Sequence, residues 1–168
     1  DVPGGRFGHG RRASDGDRNA VLRWPAPPRV LDLRDGFVCR LDLRLETKTR
    51  ATVLRLPPAL DLLLDEQGRP IARFRRFAEG DGSTALAQVA SPRSLPLHRW
   101  CTLDVCCNGT SVWLQLDGVE LASASAVGMP QQDGDGVFEV SPAEAPFPGV
   151  VDEVRWFVYE QAPAQLLP

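Results

Sequence analysis

Between Leu97 and Ser123, in LHRWCTLDVCCNGTSVWLQLDGVELAS, apolar and polar residues alternate strictly, which predicts three consecutive antiparallel strands. Cys101, Leu103, Val105 and Cys107 fall on one face of the first, with Thr102, Asp104 and Cys106 on the other. On the second, Val112, Leu114 and Leu116 alternate with Trp113 and Gln115. Asn108-Gly109 and Asp117-Gly118 sit between these runs, and both dipeptides tolerate the positive φ angles of a type I′ two-residue hairpin.

The same period recurs along the chain. Residues 36–46 place Phe37, Cys39, Leu41, Leu43 and Leu45 opposite Val38, Arg40, Asp42, Arg44 and Glu46, a long half-buried strand. Further strands are expected at 20–24, 51–56, 60–65, 71–77, 84–89, 137–140 and 150–159, separated by Pro- and Gly-rich breaks. No helical period intervenes. The implied core is Phe37, Leu41, Leu43, Leu45, Leu62, Leu64, Leu103, Val105, Leu114, Leu116 and Val154, and many short strands with regular turns imply an all-β sandwich or barrel. Residues 1–19, rich in Gly and Arg, are expected to form a loop-rich arm, and nothing along the 168 residues marks a second domain.

Composition changes this picture little. There is no apolar run of membrane-spanning length, and no charged-then-apolar leader pattern follows Asp1-Val2-Pro3. Beginning without Met, the chain reads as processed or as a piece of a longer protein. Net charge is −3, but residues 1–100 hold 18 basic against 12 acidic side chains and the remainder 1 against 10. Strands that interleave between sheets need not turn this asymmetry into a basic surface, so no nucleic-acid partner is inferred. All basic residues but Lys48 are Arg.

Cysteines 39, 101, 106 and 107 contain no CxxC pair and only His9 and His98 could join them, which argues against a zinc site. Cys39, Cys101 and Cys107 lie on the apolar faces of their strands, where a free thiol packs as a small apolar group. A bridge from Cys39 to Cys101 or Cys107 stays open for an exported protein.

Three segments carry a family likeness. GRFGHG (Gly5 to Gly10) leads into the strand AVLRW; the meander HRWCTLDVCCNGTSVWLQLDG follows a Trp, strand, turn, strand, Asp-Gly order; and GVVDEVRWF (Gly149 to Phe157) is a closing strand of the form Gly-x-Val-Asp-Glu-Val-Arg. In this order the chain resembles the laminin-G-like, concanavalin A-like jelly-roll family, in particular its bacterial version, from about Gly5 to Leu166. The resemblance implies a two-sheet antiparallel jelly-roll β-sandwich, one sheet concave and one convex, with termini close together, and a single domain over residues 1–168. Family members serve as carbohydrate-binding, adhesion or accessory domains of larger secreted proteins, and the scaffold also supports glycoside hydrolases. Function drawn from this likeness is an analogy of fold.

A hydrolase would need two carboxylates presented together. The nearest pairs are Asp42 with Glu46 and Asp61 with Asp65, each on one strand face but opposite the leucines, where solvated charge is the plainer reading. Asp152 and Glu153 point to opposite faces, and no GxSxG-type turn accompanies either histidine. The family's structural Ca²⁺ would correspond to Asp152, with Asp15 and Asp17 as further carboxylates; Asp133 and Asp135 in QQDGDG lack a downstream bidentate Glu and read as a turn. The Asn108-Gly109-Thr110 sequon coincides with a turn that already explains it.

For ligand binding, Arg73, Arg75 and Trp113 are the candidates. Arg73, Arg75 and Arg76 interleave with Phe74 and Phe77 on a strand that could line a sugar or acidic-polymer groove by stacking and bidentate pairing. Its plainer alternative is an Arg-decorated outer strand whose Phe residues enter the core. Trp113 faces away from the apolar row of its strand. The expectation is a noncatalytic recognition or adhesion module for a glycan or protein partner, extracellular or in the cell envelope. The rivals are a glycoside hydrolase on the same scaffold and a structural or assembly subunit; oligomeric state is left open.

Overall fold

The computed structural model describes residues 2–6, 8–12, 22–25, 36–77, 84–126, 129–130 and 136–158. Among them are fourteen strands and no helix. They are β1 (Val2–Gly5), β2 (Gly8–Arg12), β3 (Leu22–Pro25), β4 (Phe37–Leu45), β5 (Ala51–Leu56), β6 (Leu60–Leu64), β7 (Pro70–Phe77), β8 (Thr84–Ala90), β9 (Trp100–Cys107), β10 (Ser111–Leu116), β11 (Val119–Ser125), β12 (Met129–Pro130), β13 (Val137–Val140) and β14 (Gly149–Val158).

The first sheet runs β1-β2-β14-β4-β9-β10-β11 and the second β12-β7-β6-β5-β13-β3, with β8 also pairing β7. All these pairings are antiparallel. The alternation of β4 and β9 survives intact, so Phe37, Cys39, Leu41, Leu43, Leu45, Cys101, Leu103 and Val105 are buried between the sheets, where they meet Leu54, Leu56, Leu62 and Leu64. Aromatic rings bridge the layers at one end. Phe37 stacks on Trp156 (4.5 Å, 14°) and meets Phe74 of the second sheet at 5.8 Å, while Trp156 meets Phe138 at 5.0 Å. Leu116 and Val154, both expected in the core, pack only partly buried at its margin.

Two expectations need correction. The N-terminal arm is not a loop over its described length: Val2–Gly5 and Gly8–Arg12 form a hairpin whose second strand extends the first sheet, with Arg12 opposite Val150 and Arg11 opposite Val151. Glycine has weak strand propensity, but the unpaired edge of β14 supplies hydrogen bonds that composition cannot register. The second correction is at Asn108. Asp117 and Gly118 both have positive φ (50° and 79°), as a type I′ turn requires, but at the other hairpin positive φ falls on Gly109 (85°) and not on Asn108. Asn108 instead accepts hydrogen bonds at Oδ1 from the N–H groups of Thr110 (3.2 Å) and Ser111 (2.8 Å).

Gly149 opens the closing strand because no side chain fits there. A Cβ on it would lie 2.1 Å from the Arg44 carbonyl oxygen. That close approach lets β14 lie against β4 along nearly its full length, broken by a bulge between Asp152 and Arg155.

Candidate functional site

The outer faces of the two sheets hold nearly all of the chemistry. On the first sheet, Arg40 lies opposite Asp104 and donates through Nε and Nη2 to its two carboxylate oxygens at 2.7 and 2.8 Å. One register step along, Asp42 accepts from Arg6 Nη1 (2.5 Å) and from the Thr102 hydroxyl (2.6 Å), so the turn of the N-terminal hairpin is fastened to the middle of the sheet. Asp42 and Asp104 are only 3% and 2% exposed. This overturns the expectation of a solvated carboxylate at position 42: the alternation places Asp42 on the outer face, but Arg6 from a distant segment closes over it.

The second sheet carries a belt of charge across its strands. Cross-strand neighbours run Arg23, Glu139, Arg55, Asp61, Arg73, Gln88 over β3, β13, β5, β6, β7 and β8. Arg23 meets Glu139 at 2.7 Å, and Arg55 meets Asp61 at 3.1 Å and Glu144 at 2.5 Å. A hydrogen bond from its own backbone N–H holds the Glu144 carboxyl below its ordinary value against burial, and Arg55 adds to that.

Beside the belt lies a groove of about 380 Å³, lined by Arg50, Thr52, Leu63, Asp65, Ile71 and Arg73 among others. A second hollow of about 510 Å³ shares Arg50 and Ala145 with it and continues along Thr49 and residues 144–148. Arg73 donates to Gln88 Oε1 at 2.9 Å and pairs with no carboxylate among the described residues; neither does Arg50. Asp65, the acid at the rim, is occupied. It accepts from the backbone N–H groups of Gln67 and Arg69 (both 2.9 Å) and from Arg69 Nε (2.6 Å). Burial draws its pKa upward, but these hydrogen bonds and the Arg69 charge prevail and leave it below the ordinary carboxylate value.

The candidates of the sequence are thus divided between faces. Arg73 and Arg75 are exposed on the second sheet, whereas Trp113 is half-buried on the outer face of the first, opposite Cys106. Phe74 enters the core and offers no stacking surface beside Arg73, as the plainer reading of that strand had it; the side chain of Phe77 lies outside the described residues. Arg50, Leu63 and Ile71 were missed. One signal was available: in LDLLLD the central leucine cannot share a face with its two neighbours, so alternation sends Leu63 outward.

The carboxylates proposed for hydrolysis are all engaged. Asp42 is held by Arg6, Glu46 meets Arg44 at 3.3 Å, Asp61 meets Arg55 and Asp65 meets Arg69. Asp152 accepts the backbone N–H of Glu153 at 2.9 Å, within the bulge, where Glu153 has a positive φ of 48°. Among the described residues no three His, Cys, Asp or Glu side chains cluster as metal ligands. Asp15, Asp17, Asp133 and Asp135 lie outside the described residues. The four cysteines are free and buried. Cys39 lies opposite Val105 and Cys101 opposite Leu43, so neither bridge proposed for Cys39 is formed. Burial pushes the Cys101 and Cys106 thiols up to about 12, which makes them inert at neutral pH.

No protein-family model matches the chain, and no curated protein matches it. Solved structures do. The receptor binding domain of the botulinum neurotoxin C/D mosaic serotype aligns with a TM-score of 0.63 and 9% identity, over 84% of this chain and 38% of that one. Mouse laminin alpha1 chain, domains LG4-5, gives 0.59 and 18%, over 81% and 37%. The fold is a laminin-G-like, concanavalin A-like jelly roll. Domain 4 of an extracellular arabinanase from Geobacillus stearothermophilus, solved in complex with arabinotriose, aligns at 0.51 and 19% over 78% of this jelly roll and 64% of its own chain. The jelly roll therefore spans less than two fifths of the toxin and laminin chains.

Proposed function

We propose that this jelly roll is a noncatalytic recognition module that binds a glycan or protein partner through the outer face of its second sheet. The observation that carries the reading is the groove itself: an apolar floor of Leu63 and Ile71 beside two guanidinium groups that form no ion pair with a carboxylate among the described residues. Engagement of Asp42, Glu46, Asp61 and Asp65 by arginines weighs against the hydrolase. An arabinanase domain of this fold, solved with an arabinose oligomer, supports an accessory role outside the cell. Among the described residues no helix is long and apolar enough to cross a membrane.

The test is a screen of immobilised glycans and extracellular proteins with the wild type and Ile71→Asp. A ligand held by the wild type and released by the variant, at unchanged melting temperature, is the expected result. A ligand that survives Ile71→Asp lies elsewhere, and release of new reducing ends from a bound glycan makes the protein an enzyme.

The cofactor that would accompany this reading is a structural Ca²⁺ at Asp152. Asp42 lies opposite Asp152 but is held by Arg6 and Thr102, so the further ligands would have to come from Asp15 and Asp17. A rise in melting temperature with Ca²⁺ that disappears in Asp152→Ala supports the ion, and an unchanged wild type reduces Asp152 to a structural hydrogen-bonding residue.

A further inference from the structure

We infer that the groove on the second sheet seats an anionic oligosaccharide, one bearing carboxylate or sulfate groups, with Arg50 and Arg73 as its charge contacts. The inference rests on the recognition reading above and narrows it to one ligand chemistry.

The argument starts from the charge belt. Within it, Arg23 and Arg55 each have a carboxylate within 4 Å, from Glu139, Asp61 or Glu144. At Arg73 the sequence of partners changes. Its neighbour on one side, Asp61, pairs with Arg55 and makes no ion pair with Arg73, and its neighbour on the other is the neutral Gln88. Where the groove begins, Arg73 therefore has no carboxylate within 4 Å among the described residues. Arg50 enters from the loop between β4 and β5 and has no polar partner among the described residues. Asp65 does not cancel either, because Arg69 and two backbone N–H groups already occupy its oxygens. Two planar guanidinium forks remain at the walls of one groove, a geometry suited to bidentate pairing with a carboxylate or sulfate.

The floor narrows the class further. Leu63 and Ile71 lie side by side as cross-strand partners, with Ala145 at one side, and offer a flat apolar patch for the C–H face of a sugar ring. The groove crosses the face of β5, β6 and β7 and does not follow a free strand edge. A peptide could not extend the sheet there by main-chain hydrogen bonds, so recognition has to come from side chains alone.

Calorimetry with the folded protein tests this, using a galacturonate tetrasaccharide, its methyl ester, a heparin-derived tetrasaccharide, a neutral galactose tetrasaccharide and a poly-glutamate peptide. One or both acidic saccharides should bind, more weakly as salt is raised, and the ester should bind at least as weakly as the neutral sugar. The galacturonate and heparin arms tell carboxylate from sulfate. Arg50→Gln and Arg73→Gln should each lose about tenfold in affinity, the worth of a charge-assisted hydrogen bond, with unchanged melting temperature. Equal binding of acid and ester, or full affinity in the double variant, overturns the anionic assignment and leaves the recognition reading standing. Binding of poly-glutamate without either acidic saccharide overturns the assignment to a sugar. A protein that retains nothing, in this series or in the broader screen, brings down both.

Discussion

The two outer faces of this sandwich use the same kinds of charged residue to opposite ends. On the first sheet the central rows are tied by ion pairs, Arg40 with Asp104, Arg6 with Asp42 and Arg155 with Glu153, and Asp42 and Asp104 are almost wholly buried. On the second, the carboxylates are more open to water, Asp61 being 34% and Glu144 56% exposed, and Arg73 forms no ion pair with a carboxylate among the described residues. The difference lies in what covers them. The turn of the N-terminal hairpin lays Arg6 over the first face, while the groove leaves the second uncovered. A face whose central carboxylates are closed over contributes stability, and an open face with two guanidinium groups free of carboxylates among the described residues is suited to a ligand.

The comparison can be broken most severely through the core that both faces share. Leu103→Asp would bury a lone carboxylate at a site with no exposure, at a cost of several kcal/mol, and cooperative unfolding should be lost or its midpoint should collapse. If the variant melts like the wild type, the strand register is wrong.

A second experiment compares the faces directly. Arg40→Ala strips the hydrogen bonds from buried Asp104 and should cost about 1.5–3 kcal/mol in chemical denaturation. Arg55→Ala removes more ion pairs, but the carboxylates it leaves, Asp61 and Glu144, stay open to water, and it should cost at most about 1 kcal/mol. Equal losses would erase the distinction between a closed and an open face.

Acid provides a smaller and more local probe. The folded pKa of Asp65 is depressed, so its contribution is complete above the unfolded value of about 4 and is lost as pH falls through the folded value. Asp65→Asn should therefore flatten the fall of melting temperature on that acidic side and leave the profile near neutrality parallel to the wild type; an unchanged acid limb would remove Asp65 from the account.

The mildest test is chemical. Cys106 sits on the outer face of the first sheet, yet is 3% exposed and its thiol is raised to about 12 by burial, with the Asp104 charge adding to the rise. Native protein at slightly alkaline pH should resist alkylation at all four cysteines and take up four labels on denaturation. Rapid native labelling of Cys106 would show that the first face is open as well.

Strand positions, the inward rows of β4 and β9 and the Asp117-Gly118 turn were all legible in the sequence, because each is a local property: side chains alternate across a strand, and few residues accept positive φ. So was the buried state of Cys39, Cys101 and Cys107. Partnership was not legible. The basic first part of the chain and the acidic second part look like opposed charges until β4 is laid beside β9 and β13 beside β3 and β5, where Arg40 meets Asp104, Arg23 meets Glu139 and Arg55 meets both Glu139 and Glu144. Alternation placed Asp42 and Arg73 alike on outward rows, and sequence alone had no means of telling them apart. Coulomb energy and desolvation depend on distances between segments far apart in sequence, so only the tertiary structure decided that one charge would be buried under Arg6 and the other left at the wall of a groove.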